Sequence, residues 1–194
     1  NFIPYTGKAT KVSQPVSPWK YRTDGFVYDL VRRSASSVYA ASGDTKLYAL
    51  SPTSGLLWMK DLAGPVQDLD AANDGSVLVG LRINAPQNLL LFDINGNQLH
   101  GWNMLQEVWC VARDQSRNTA YAGLRDGGIR AYDTSTGAVR WVRTDLGTCR
   151  HIGIDAGGNV FASVTGGNPK IVKLSSSTGS TIWPYDIGAS REFE

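Results

Sequence analysis

Two carboxylates, a thiol and an imidazole occupy matching places along the 194-residue sequence. Asp29, Asp68, Cys110 and His151 each stand immediately before an apolar residue, namely Leu30, Leu69, Val111 and Ile152. Gathered around a channel, such a set could ligate a metal or hold a substrate. Short polar groups around a wet channel also bond simply to water and to backbone. No ligand spacing supports a named metal, so the second reading is preferred, and neither metal nor cofactor is expected. His100 and His151 are the only histidines. With no Ser or Cys at a nucleophile elbow, a catalytic triad has nothing to be built from. The chain is therefore read as non-enzymatic.

Other side chains could bind rather than react. "GLRINAPQ" (80–87) and "GLRDGG" (123–128) put Arg82 and Arg125 in matching positions. A pair of arginines on one rim could hold a carboxylate or phosphate of a partner. The plainer reading is two solvated loop arginines, paired with Asp126 or Asp44. A lectin would need exposed aromatic rings, for which Phe26 and Trp109 are the candidates. A glycosidase would need two facing carboxylates, and Asp29 with Asp68 is the only plausible pair. The turns "NDGS" (73–76), "DINGN" (93–97) and "DAGGN" (155–159) lack the twelve-residue calcium ladder and read as hairpin turns. Cys110 and Cys149 have no CxxC spacing; a disulfide between them is open, with two buried thiols the default.

The elements that must position these groups follow from a repeat. Turn glycines Gly55, Gly96, Gly137 and Gly179 lie 41, 41 and 42 residues apart. Each period holds four short strand signals separated by turn signals, such as "VWCVA", "TAYAGL", "IRAYD" and "AVRWVR" in the third. No segment sustains a 3.6-residue period, so almost no helix is expected. Four-stranded units of this length predict an all-β fold of β-propeller blades. Trp58, Trp141 and Trp183 follow the turn glycines Gly55, Gly137 and Gly179 by three or four residues. A ring there can lie across the gap to the next blade and bury on the order of 200 Å². The second unit departs from this pattern: Leu99 is read at the docking position, which frees Trp102 for a rim or a partner.

"LYALSPTSGLLW" (47–58) and "IRAYDTSTGAVRW" (129–141) resemble the tryptophan-docking motif of pyrroloquinoline quinone-like (PQQ-like) propeller repeats. The resemblance covers roughly residues 24–187 and implies the fold more than an activity. The dehydrogenases of that family carry an adjacent-cysteine disulfide and a calcium-binding Glu/Asn/Asp set, neither of which is recognisable here. Related repeats in outer-membrane assembly scaffolds and phage tails imply a structural or protein-interaction module, in a virion or an envelope, with other protein subunits as partners. A carbohydrate-acting propeller is the alternative.

The ends extend the pattern. "FIPYTG" (2–7) resembles a third strand with its turn, and "PWKYRTDG" (18–25) resembles "RWVRTDLG" (140–147). Residues 1–23 are thus read as strand remnants or an arm of a closing blade, 24–187 as blades, and 188–194 as the start of an inner strand or a tail. Five-bladed closure and membership of a longer propeller both remain open.

Composition narrows the partner classes. Net charge is +2 and the basic residues are scattered, which argues against a phosphate-tracking surface and against nucleic acid. No apolar run approaches the ~20 residues of a membrane-crossing helix. An extracytoplasmic or virion location is favoured.

Overall fold

The computed structural model describes residues 20–166 and 169–187. Among these residues sixteen strands form four sheets, each an antiparallel meander in chain order. The first sheet contains β1 (Val27–Ser34), β2 (Ser37–Ser42), β3 (Lys46–Ser51) and β4 (Gly55–Asp61). The second contains β5 (Val66–Ala71), β6 (Val77–Leu81), β7 (Leu89–Phe92) and β8 (Gln98–Trp102). The third contains β9 (Val108–Asp114), β10 (Thr119–Leu124), β11 (Ile129–Asp133) and β12 (Val139–Arg143). The fourth contains β13 (Thr148–Ile154), β14 (Val160–Thr165), β15 (Lys170–Leu174) and β16 (Thr181–Asp186). No helix occurs among the described residues. These are the blades of a β-propeller, as the period predicts.

The core is a set of layers between blades rather than one central mass. Tyr39, Ala41, Leu47 and Ala49 of the first blade pack against Val66, Val79 and Phe92 of the second. Leu78, Leu89 and Leu91 face the third blade through Val108, Ala120 and Ala122. Tyr121, Ile129 and Ala131 then meet Cys149, Val160 and Val172 of the fourth. β6 is buried along its whole length because its alternate residues supply two different seams. Such a strand reads as a continuous apolar run for that reason.

Each seam is pinned by rings laid on a turn glycine. The Trp58 indole donates to Ile94 O at 3.0 Å, and Trp141 donates to Ser176 O at 2.8 Å. A Cβ on Gly96 would stand 3.0 Å from the Trp58 ring, and one on Gly179 would stand 2.7 Å from Trp141. Both glycines have φ near +70 to +80° (81° and 70°), so the turn and the close ring each require glycine.

The second blade corrects the expectation for Leu99 and Trp102. Every outer strand skips one residue in its pairing just after the turn, and here the skipped residue is Leu99, which is 50% exposed. His100 therefore takes the tryptophan's register and lies over Gly137, with Nδ1 3.0 Å from where a Cβ would be. Trp102 stacks on His100 at 5.3 Å and donates its indole N–H to Gly137 O at 2.9 Å. At 8% exposure it is as buried as Trp141 at 7%. Trp102 is thus a docking residue and not a free rim aromatic. The work of one indole is divided between an imidazole that covers the glycine and an indole that satisfies its carbonyl.

The outer faces of the arc look different. Trp183, in the docking register of β16, is 40% exposed, and Tyr185 is 62% exposed. Over Gly55, whose φ is 72°, nothing among the described residues comes within 4 Å of an added Cβ. The readings of "FIPYTG" and of residues 188–194 fall outside the described residues.

Candidate functional site

The innermost strand of every blade carries a β-bulge at the same place. Pairing skips one residue between Val27 and Asp29, between Val66 and Asp68, between Val108 and Cys110, and between Cys149 and His151. The skipped residues are Tyr28, Gln67, Trp109 and Arg150. Consecutive residues of a regular strand point to opposite faces, whereas a bulge re-aims one of them. In blades one, two and four the bulge turns both members of a pair toward the channel, and in blade three it turns Trp109 there while Cys110 stays in the seam. A cavity of about 530 Å³ is accordingly lined by Tyr28 with Asp29, Gln67 with Asp68, Arg150 with His151, and Trp109. The sequence placed Asp29, Asp68, Trp109 and His151 as candidates, and the fold brings all four together. It missed Tyr28, Gln67 and Arg150, whose only signal was their position one residue before the polar set.

The carboxylates also close the seams. The channel-side edge of an inner strand exposes N–H groups that must find acceptors. Asp29 Oδ2 accepts the Leu69 N–H at 3.0 Å, and Asp68 Oδ2 accepts the Val111 N–H at 2.7 Å. Asp29 Oδ1 accepts from Leu30 N–H at 2.7 Å, and Asp70 Oδ2 accepts from Arg113 N–H at 2.7 Å. Backbone bonding, the plainer of the two readings, therefore describes Asp29 and Asp68. Burial pushes the Asp68 carboxyl up to about 7, against the lowering effect of the Val111 N–H, and the neighbouring Asp29 charge adds to the rise.

Cys110 takes the Asp place at the third seam. Its Sγ lies 3.5 Å from that of Cys149, and both cysteines are free and buried. The hydrogen bond to Cys149 and burial raise the Cys110 thiol well above its ordinary range. A Cβ on Gly123 would stand 2.4 Å from Cys110 Sγ and 2.6 Å from Cys149 Sγ, so this glycine makes room for the two sulfurs. Within the described residues no group of three or more His, Cys, Asp or Glu is arranged to hold a metal ion.

At the channel mouth the two loop arginines share a backbone position and little else. Arg82 N–H bonds to Pro65 O at 2.9 Å, and Arg125 N–H bonds to Glu107 O at 3.2 Å. Arg125 pairs with Glu107 at 3.1 Å, not with Asp126 or Asp44, because the blade-three residue across from it is a glutamate where blade two has Pro65. Glu107 also accepts the Trp109 indole N–H at 3.3 Å, and the Arg150 guanidinium lies 4.1 Å from the centre of the Trp109 ring. Arg125, Glu107, Trp109 and Arg150 thus run from rim to cavity as one chain of contacts. Arg82 and Phe26 are exposed and do not line the cavity. In the three acidic turns, backbone N–H groups occupy the carboxylates: Ser76 on Asp74, Asn97 on Asp93 and Asn159 on Asp155. They are hairpin turns, as read.

Known proteins share both the repeat and the fold. The sequence profile of a family described as outer membrane protein assembly factor BamB, built of PQQ-type repeats, matches residues 18–144 and 125–192. The chain belongs to this family of β-propellers. Serine/threonine-protein kinase AfsK of Streptomyces coelicolor is 24% identical over 200 residues. That match takes in 96% of this chain but only 22% of the kinase, so the chain spans about a fifth of that relative. Among solved structures, a chain of the mitotic checkpoint complex superposes with a TM-score of 0.72 at 14% identity, over 82% of this chain and 51% of that one. The computationally designed Ika4 protein gives 0.66 at 18% identity, over 79% of this chain and 94% of that one. At these identities the structural likeness concerns the fold.

Proposed function

We propose that this BamB-family propeller is a non-enzymatic binding module whose recognition surface is the channel mouth built on the four bulges. One observation carries the reading. Positions that join blades hold repeated chemistry, whereas the bulge position holds a different side chain in every blade: Tyr28, Gln67, Trp109 and Arg150. The fold therefore does not fix one residue type there, which leaves the position open to recognition. Membership of a family described as an assembly factor supports a protein partner. The kinase relative, in which the similar stretch is a minor part of a long chain, supports a propeller that serves a larger protein. A virion role has no support in the family description or in the kinase relative.

The carbohydrate alternative is weaker on this geometry. Both oxygens of Asp29 accept backbone N–H groups, which leaves a poor nucleophile, and one face of Trp109 is covered by Arg150. The test is affinity capture from native extract with the parent chain and with a Trp109→Ala, Arg125→Ala variant of unchanged circular dichroism. A partner held by the parent and lost by the variant is expected. Equal capture by both would move the surface away from the mouth.

A further inference from the structure

The cavity is electrically two-sided. Asp29 and Asp68 line it from blades one and two, while Arg150 and the His151 imidazole line it from blade four. Tyr28 supplies an apolar face, and Gln67 adds an amide. A volume of about 530 Å³ falls in the range of small-molecule sites, roughly 300–1,000 Å³. A ligand of one sign would leave one wall unanswered. An ion that carries both signs answers both.

We infer that the channel cavity binds a small zwitterion of amino-acid or short-peptide size, with its ammonium on Asp29 and Asp68 and its carboxylate on Arg150. This rests on the binding-module reading and names the class of ligand the same site takes. The parts suit the task. An ammonium presents three donors, and Asp68 engages only one oxygen with the Val111 N–H, which leaves Oδ1 to accept. Burial and the Asp29 charge raise Asp68, and a bound ammonium supplies the countercharge that offsets both. On the opposite wall the Arg150 guanidinium lies 4.1 Å from the centre of the Trp109 ring, with its Nε 3.5 Å from Thr165 Oγ1. A guanidinium fixed in this way offers its fork to a carboxylate with little ordering left to do.

Calorimetric titration of the purified chain with L-leucine, L-alanyl-L-alanine and L-trialanine tests the proposal. At least one is expected to bind stoichiometrically, and the preferred length reports the span between the walls. The N-acetyl and C-amide derivatives of the best probe each lose one charge, and each is expected to bind at least about tenfold more weakly. Asp68→Asn keeps an oxygen for the Val111 N–H, and Arg150→Gln keeps a polar side chain at the bulge. Each should weaken the parent probe by about the same factor. The blocked derivatives put the question to the unaltered protein, so the answer does not depend on the variants folding. Binding by none of the three probes, or equal binding of the blocked forms, overturns the zwitterion. Either result leaves the protein-interaction reading standing, because that reading is judged by the capture experiment.

Discussion

At the seams, blades one and three lay Trp58 and Trp141 over Gly96 and Gly179, and blade two reaches the same end with His100 and Trp102 over Gly137. Around the channel, the same strands carry Tyr28, Gln67, Trp109 and Arg150 at one shared bulge. The seam accepts few solutions. It needs a flat ring against a glycine of positive φ and an N–H aimed at a turn carbonyl. The bulge fixes a direction and leaves the chemistry free. A repeat protein can therefore hold its structure constant at one register and vary its recognition at another.

Breaking a seam should have the largest effect. Trp141→Ala removes a buried ring and its bond to Ser176 O, and is expected to cost about 3–5 kcal/mol in denaturant unfolding. Trp102→Ala should cost a similar amount, since it docks equally deeply. A loss under about 1 kcal/mol at Trp102 would mean that His100 alone holds the second seam.

The glycines sharpen the same point. Gly55 and Gly179 have nearly identical φ, 72° and 70°, but only Gly179 lies under a described ring. Gly55→Ala is expected to cost about 1–2 kcal/mol for the left-handed backbone alone. Gly179→Ala should cost clearly more, because the new methyl meets Trp141 at 2.7 Å. Equal losses in thermal melts would show that a ring covers Gly55 as well.

The channel side is tested by pH. Burial pushes the Asp68 carboxyl up to about 7 in the folded protein, well above an unfolded aspartate at about 3.9. The folded state therefore binds the extra proton between these values. The stability this group confers is full below about pH 4 and is lost as pH rises through about 7. Asp68→Asn should remove that part of the dependence and make the variant the more stable of the two at pH 8 by about 1–2 kcal/mol, solvent in the channel screening the rest of the burial cost. Unfolding of both proteins at pH 5 and pH 8 checks the sign. A parent chain that gains on the variant as pH rises would contradict a raised carboxyl.

The smallest effect belongs to the rim. Arg125 is exposed and its pair with Glu107 is open to water, so Arg125→Ala should shift stability by no more than ~1 kcal/mol. The same change should still show in partner capture. Loss of stability without loss of capture would reassign Arg125 to the fold.

Much of this was legible in the residues. Turn glycines at a near-constant spacing marked the blades, and the strand segments inside each period lie where the turn signals bounded them, because both signals are local. The docking tryptophans at 58 and 141 were legible for the same reason. Trp102 was misread because the skipped residue just after the turn shifts the register by one, and no propensity distinguishes Leu99 from His100 as the residue to be skipped. In the channel, Asp29, Asp68 and His151 were found as equivalents, whereas Tyr28, Gln67 and Arg150 were hidden by the rule of alternation that the bulge breaks.

The sequence by itself determined the period, the four-stranded unit and a ring after three of the four turns, since each depends on backbone geometry within about forty residues. Only the tertiary structure decided which ring meets which glycine, which N–H each aspartate caps and which side chains share a cavity. Those choices are made between blades, where residues some forty positions apart come within hydrogen-bonding distance, and where a one-residue bulge in each inner strand turns a side chain from the seam toward the channel.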